Sequence, residues 1–272
     1  RGSRGLAFPV MSSSLADYLA AHETAFNEIT GITAGLNDDQ WQVQSLCPAW
    51  TVRECAAHVI GVETVLAGWV PSLENPPPFE IIGPWMVKAA GMSGADFNAA
   101  IDAIIAARLA ELGSFDDSVV AAASITPVGP QTYGDFLRIR VFDMWVHARD
   151  IGLPLGIQLP DGGPTATMAL DEVHRSMGYI MGKKVGLEDG MSATVHVTGG
   201  VERDIHVAVD GRAALVESVD NPTVEITADV ETFVMLACGR VDPQERIDAG
   251  RISWTGDAAL GDKAARNLRF TM

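Results

Sequence analysis

The chain has 272 residues and a net charge of −16, from 35 acidic and 19 basic side chains. Nucleic acids require a basic surface and anionic membranes attract basic segments, so this balance disfavours both kinds of partner. With 47% hydrophobic residues the chain can bury a core, and no run of about 18 apolar residues predicts a membrane span. The residues before Met11 lack the apolar stretch of a signal peptide, and we interpret them as an expression remnant.

Four helices are predicted in the first half. Apolar positions recur at helical spacing over residues 14–36 and 95–112. "TVRE" (51–54) is a capping box that opens a helix from about residue 52 to 70, before Pro71. "TYGD" (132–135) opens a further helix that Gly152 ends, whereas "ENPPPFEIIGP" (74–84) reads as a loop. Helices joined in this way predict an antiparallel four-helix bundle.

The second half changes its period after "LPDGGPT" (159–165), which we take as the domain boundary. One helix is expected over about 165–183, followed by residues that alternate in twos. Hairpin turns are expected at 199–200 and 210–211, and further strands at 223–227 and 251–256. Asp229 is a predicted helix N-cap, and a last helix is expected to include Leu260 and Leu268. The pattern predicts an α+β layer in which an antiparallel sheet carries helices on one face.

A metal-binding constellation is predicted from two of the helices. Asp143 and His147 are four residues apart, so they are neighbours on one helix face. His58 lies about two turns after the Thr51 cap and is expected to face the bundle interior. Three such ligands are typical of catalytic zinc, which keeps one position open, and they also match the facial triad of non-haem iron.

Simpler interpretations of these residues stay open. His58 alone is more often a core histidine, and an Asp–His pair one turn apart is more often a hydrogen bond. Cys55 lies one turn before His58 and is a minor candidate for a fourth ligand, whereas Cys47 is expected only to pack. Asp150, three residues after His147, is a candidate acceptor that orients the imidazole.

Two segments carry a family resemblance. "CPAWTVRECAAHVIG" (47–61) and "RVFDMWVHARDIGLPLG" (140–156) resemble the signatures of mycothiol-dependent maleylpyruvate isomerase-like proteins, within the DinB-like superfamily of metal-binding bundles. The C-terminal half, which ends with "RISWTGDAALGDKAARNLRF" (251–270), is similar to the sterol-carrier-like (SCP2-like) domain of that family. The resemblance implies a DinB-like bundle over residues 12–158 and an SCP2-like α+β domain over 159–272.

The resemblance also implies a chemistry. A divalent metal, usually zinc, is held by residues that correspond to His58, Asp143 and His147, and its open position receives the thiol of mycothiol, an actinobacterial thiol. Asp143 departs from the family, whose characterised isomerase has Glu there. The metal-stabilised thiolate adds to an electrophile, and an arginine of the second domain holds an anionic substrate. The candidates for that arginine are Arg240 and Arg251.

We therefore predict a mycothiol-dependent metalloenzyme that isomerises, or adds a thiol to, an electrophilic small molecule. Its expected partners are that electrophile and the low-molecular-weight thiol, and the expected assembly is a monomer or homodimer. The cysteines Cys47, Cys55 and Cys238 form no CxxC pair, which favours a reducing cytoplasm. Two alternatives remain: a non-catalytic binding module whose metal is closed by four protein ligands, and an iron-dependent thiol oxygenase on the same bundle.

Overall fold

The computed structural model describes residues 13–271. The segment before Met11, interpreted above as an expression remnant, lies outside the described residues. Over this range, none of the helices combines the length and the apolar composition that crossing a bilayer requires.

The N-terminal domain is helical. Its helices are α1 Leu15–Thr33, the short α2 Asp38–Trp41, α3 Val52–Leu66, α4 Ile82–Ala90, α5 Gly94–Leu112 and α6 Tyr133–Gly152. The four long ones are the predicted helices. Capping boxes open α1, α3 and α6 at Ser14, Thr51 and Thr132. Each of these side chains accepts a hydrogen bond from a backbone amide in the first turn, and an acidic side chain of that turn accepts one from the backbone amide of the cap residue.

Three details of this domain differ from the prediction. Helix α3 ends at Leu66 and not near residue 70. Helix α4 begins inside the segment expected to be a loop, because Pro84 falls in the first turn, where a missing N–H costs no hydrogen bond. A hairpin of β1, Ala123–Thr126, and β2, Gly129–Thr132, precedes α6 and was not predicted.

The C-terminal domain is a five-stranded sheet with helices. Its elements are α7 Gly163–Tyr179 with a π-helical turn Ile180–Val185, β3 Ser192–Thr198, β4 Arg203–Asp210, β5 Arg212–Val216, β6 Val224–Asp229, α8 Val230–Ala237, α9 Pro243–Asp248, β7 Ile252–Gly256 and α10 Ala258–Arg266. The strand order is β5-β4-β3-β6-β7. All neighbours are antiparallel except β3 and β6, because the chain crosses the sheet after β5 and returns beside β3.

The predicted turns and caps of this domain are confirmed in most places. The turns at 199–200 and 210–211 join β3 to β4 and β4 to β5. Asp229 caps α8 by accepting from the Thr232 amide. The last helix is shorter than expected, because α10 ends at Arg266 and Leu268 lies beyond it, buried in the core.

Helix α6 belongs to the cores of both domains. Val141, Met144 and Ala148 pack into the core of the helical domain, whereas Trp145 and Val146 pack into the core of the sheet domain. Almost every residue of α6 is therefore buried, and its side chains reach the junction between the domains. The fully buried polar residues of this helix, such as Arg149 and Asp150, therefore require partners inside the protein.

Candidate metal centre

Helices α3 and α6 bring the three predicted ligands close together. His58, on α3, lies with its ring centroid 5.4 Å from that of His147, on α6. The ring of Trp50 packs on His58 at a centroid distance of 4.4 Å and limits how the imidazole can turn. Nε2 of His147 lies 3.5 Å from Oδ1 of Asp143.

The separation between Asp143 and His147 is informative. At 3.5 Å it is long for a hydrogen bond between an imidazole and a carboxylate. Two ligand atoms that each lie about 2.0–2.1 Å from one tetrahedral ion are about 3.4 Å apart. The spacing of Nε2 and Oδ1 suits an imidazolium–carboxylate ion pair and also matches that of two ligands of one ion.

A second group of donors lies on the other side of the His147 ring. Nδ1 of His147 lies 2.9 Å from Oδ2 of Asp150, 3.5 Å from Sγ of Cys55 and 3.8 Å from Sγ of Cys47. One ligand atom from each of these four residues lies within 4.8 Å of all the others, which makes the group a possible metal site. His58 and Asp143 do not belong to this tight group.

The charges around His147 favour a cation. Burial alone would lower the pKa of His147, but the carboxylates of Asp143 and Asp150 outweigh burial and raise it well above its usual range. Burial would raise the pKa of Asp143, but His147 and the Arg140 guanidinium hold it well below its usual range. Burial, with the charge on His147, lowers the pKa of His58 to about 4. His58 is therefore neutral at pH 7, as a metal ligand must be.

The two cysteines titrate differently. A hydrogen bond with Cys55 lowers the pKa of Cys47 to about 6, and this outweighs burial with further help from His147. The same hydrogen bond and burial raise the pKa of the Cys55 thiol well above its usual range. Cys47 therefore loses its proton more readily than Cys55, and the pair carries one thiolate more readily than two.

Arg140 holds the other oxygen of Asp143. Its Nη1 donates to Oδ2 of Asp143, and its Nη2 donates to Oε1 of Glu63 at 2.6 Å. Glu63 is 1% exposed and also accepts from Arg108 at 3.2 Å. This chain of alternating charges leaves Oδ1 of Asp143 directed toward His147.

The two candidate arginines occupy different surroundings. Arg240 reaches the site, where its Nε lies 3.1 Å from Oδ2 of Asp150. Arg251 instead forms a two-point ion pair with Asp229, at 2.8 and 2.7 Å, and does not line the cavity beside the site.

A cavity of about 560 Å³ adjoins these residues at the junction of the two domains. His58, Asp143, His147 and Arg240 line it together with residues that are mostly apolar. A second cavity, of about 580 Å³, lies among α1, α6 and α7, and none of the three predicted ligands lines it.

Family comparisons agree with this architecture. The family described as mycothiol maleylpyruvate isomerase N-terminal domain matches residues 22–152, and the family described as MDMPI C-terminal domain matches residues 167–263. The chain belongs to the mycothiol-dependent maleylpyruvate isomerase-like family. No curated protein sequence matches it.

Two solved structures of the isomerase share the fold of this family member. A crystal structure of a mutant of the mycothiol-dependent maleylpyruvate isomerase has a TM-score of 0.59 at 13% identity, covering 90% of this chain and 95% of that one. A second structure of the isomerase has a TM-score of 0.56 at 13% identity, covering 84% and 90%. The sterol carrier protein 2 like 2 of Aedes aegypti covers 36% of this chain and 95% of its own, with 15% identity and a TM-score of 0.30.

The sequence alone left two features of this family member unpredicted. Cys47 was expected only to pack; it is buried, but its Sγ also lies 3.1 Å from Oδ2 of Asp150. No local pattern signals this contact, because the two residues are 103 positions apart. The ion pairs of Glu63 with Arg108 and Arg140 likewise join three helices, and the sequence pattern of a single helix does not predict them.

Proposed function

We propose that the protein is a mycothiol-dependent metalloenzyme in which His58, Asp143 and His147 bind one divalent ion. The proposal is carried by one observation: Nε2 of His147 and Oδ1 of Asp143 have a co-ligand spacing of 3.5 Å in the wall of an inter-domain cavity. The family assignment supports the same reading.

The donor set fits a catalytic ion. Two neutral imidazoles and one carboxylate would leave a fourth position open on the ion, and all three side chains line the cavity. Zinc suits these ligands best, and iron(II) is compatible with the same set. When bound, such an ion would lower the pKa of a coordinated thiol and hold it as a thiolate at neutral pH.

Residues around the ligands have positioning roles in this proposal. Asp150 accepts a hydrogen bond from Nδ1–H of His147 and so leaves the Nε2 lone pair available to the ion. Arg140 fixes Asp143, which is one methylene shorter than the glutamate of the characterised isomerase. Arg240 is the proposed substrate arginine, because it lines the cavity with the proposed ligands, whereas Arg251 pairs with Asp229 outside that lining.

The proposed reaction is addition of a thiol to an activated double bond. The sulfur bonds to one carbon while the electrons of the double bond move toward an adjacent carbonyl. Uptake of a proton at the neighbouring carbon gives an adduct, whereas rotation and loss of the thiol give the isomer. Neither outcome is a net oxidation, so no further reactant is required. The thiols of Cys47 and Cys55 are free and adjacent, which suits a reducing cytoplasm.

Metal content and thiol binding test this function. Protein purified without added metal is expected to retain about one divalent ion per chain, and His58→Ala and Asp143→Ala should lose it. His196→Ala removes an imidazole that pairs with Asp204 on the sheet surface and should retain the ion. Mycothiol should bind by calorimetry to the loaded wild type only. Thiol binding that is equal in metal-free protein would overturn the proposal, and iron with thiol-dependent oxygen consumption would favour the oxygenase.

A second candidate function rests on the donors at Nδ1 of His147. Four protein ligands are available there, from Cys47, Cys55, His147 and Asp150. An ion that is fully coordinated by four protein ligands is structural and not catalytic. The protein would then be a metal-stabilised binding module. Loss of the ion in Cys47→Ser and Cys55→Ser, with retention in His58→Ala, is the result that would favour this module. Cys238→Ser, which removes a buried cysteine outside the group, is the control.

A further inference from the structure

The walls of the inter-domain cavity are largely apolar. Beyond the proposed ligands, the lining consists mainly of aliphatic and aromatic side chains, namely Val62, Phe79, Ile82, Pro127, Phe136, Ile139, Phe142 and Val146. These residues come from α3, α4 and the turn before it, the β1–β2 hairpin and α6. A volume of about 560 Å³ falls within the range of pockets that hold drug-sized ligands.

Two apolar side chains in or next to the cavity lining are exposed to solvent. Phe79 lines the cavity and remains 41% exposed. Val128, next to the lining residue Pro127, is 65% exposed. Large apolar side chains exposed beside a cavity favour a ligand that is itself apolar.

Few charged groups in the lining are free to meet a ligand. His58, Asp143 and His147 are assigned to the ion, and Arg140 is bound by Glu63 and Asp143. Arg240 donates through Nε to Asp150 and through Nη1 to the carbonyl of Cys238. Within residues 13–271, its Nη2 atom has no hydrogen-bond partner, and the side chain is 18% exposed.

The unpartnered Nη2 of Arg240 indicates the charge of the ligand, because the other unpartnered guanidinium nitrogen in the lining, Nε of Arg140, is buried. A single carboxylate can accept from Nη2 of Arg240, which makes a strong charge-assisted hydrogen bond. A second carboxylate would face the phenylalanine and isoleucine wall, where an unpaired charge is costly to bury.

We propose that the electrophile is an amphipathic monocarboxylate, with an aryl or branched alkyl body against the apolar wall and its carboxylate on Arg240. This inference rests on the proposed function, since it assigns the substrate class of the same site. This substrate class differs from small dicarboxylates such as maleylpyruvate, which has two charges and no apolar body.

Binding without thiol tests the substrate class independently of the chemistry. The probe is β-benzoylpropionate, an unreactive aryl monocarboxylate, titrated calorimetrically into the metal-loaded protein with succinate as the dicarboxylate comparison. The aryl compound is expected to bind at least tenfold more tightly than succinate. Phe79→Ala, at a partly exposed position, should weaken binding of the aryl compound about tenfold. Arg240→Met should weaken binding of the aryl carboxylate while leaving binding of its uncharged methyl ester unaffected. Val87→Ala, on the exposed side of α4, is the control and should have no effect.

Turnover then separates the two proposals. With mycothiol, β-benzoylacrylate should react with a higher kcat/KM than maleylpyruvate. Tighter binding of succinate, or unchanged binding in Phe79→Ala, would overturn the substrate class. Tight binding of the aryl compound without any thiol-dependent reaction would leave the substrate class intact and overturn the proposed function.

Discussion

The Nδ1 atom of His147 lies 2.9 Å from Oδ2 of Asp150, on the side of the ring opposite to Asp143. This hydrogen bond fixes the tautomer of an imidazole proposed to bind metal through Nε2. Asp150→Asn should therefore lower metal affinity about 10–100-fold without removing a ligand of that ion. Affinity is measured by competition with a chromophoric chelator.

The sheet domain provides a matched control for Asp150→Asn. Asp204 pairs with Nδ1 of His196 at 2.7 Å, far from the proposed ligands, and this pair is exposed. Asp204→Asn makes the same chemical change and should leave metal affinity as in the wild type. Equal affinities in the two variants would argue against an orienting role for Asp150.

Metal binding should release about one proton per ion at pH 7. The pKa of His147 is held well above its usual range by Asp143 and Asp150, so its proton must leave, whereas His58 and Asp143 carry none at this pH. Because the pKa is raised, apparent affinity should rise about tenfold per pH unit until the pH reaches that pKa. Release is measured with a pH indicator in weak buffer. Affinity that is independent of pH between 6 and 8 would contradict this assignment.

Much of the fold was predictable because its signals are local. The Thr51 and Thr132 capping boxes fix where α3 and α6 begin, and the glycine turns at 199–200 and 210–211 fix the sheet hairpins. Helix α4 was missed because the prolines before it dominate the local pattern. The parallel pairing of β6 with β3 depends on a crossover, which strand periodicity does not encode.

The candidate site was predictable only in part, for the same reason. The spacing of Asp143 and His147 on one helix predicts their proximity. Cys47 approaches Asp150 within the helical domain across 103 residues, and Arg240 joins the sheet domain to Asp150 across 90 residues. No periodic pattern reports such contacts. Choosing between Arg240 and Arg251 likewise required knowing that Asp229 already binds Arg251.

The buried carboxylate of Glu63 should be essential for stability. It is 1% exposed and lies between Arg108 and Arg140, so Glu63→Gln would remove the buried charge that both guanidinium groups share. Arg108 would keep only the partly exposed Glu111 as a carboxylate partner, and Arg140 only Asp143. We expect a loss of about 3–5 kcal/mol in the free energy of unfolding, measured by urea denaturation of the metal-free protein. Asp262→Asn breaks the exposed pair with Arg266 and should cost no more than about 1 kcal/mol. A loss below about 1 kcal/mol for Glu63→Gln would contradict the network.

His22 should make the protein acid-sensitive. It is 1% exposed, its Nδ1 lies 2.8 Å from the carbonyl of Tyr18, and burial lowers its pKa from 6.5 to about 4. Because the folded state binds the proton less readily than the unfolded state, the free energy of unfolding falls as the pH drops from 6.5 to about 4. Below about pH 4, His22 causes no further change in the free energy of unfolding. The shift corresponds to about 3 kcal/mol.

The variant His22→Gln isolates this contribution to acid sensitivity, because the other titrating groups are unchanged. As the pH falls from 6.5 to 4, the wild type should lose about 3 kcal/mol of unfolding free energy relative to His22→Gln. Urea denaturation at half-unit pH intervals, without metal, measures it. Parallel curves for the wild type and His22→Gln would mean that this histidine takes up its proton equally readily in the folded and unfolded chains.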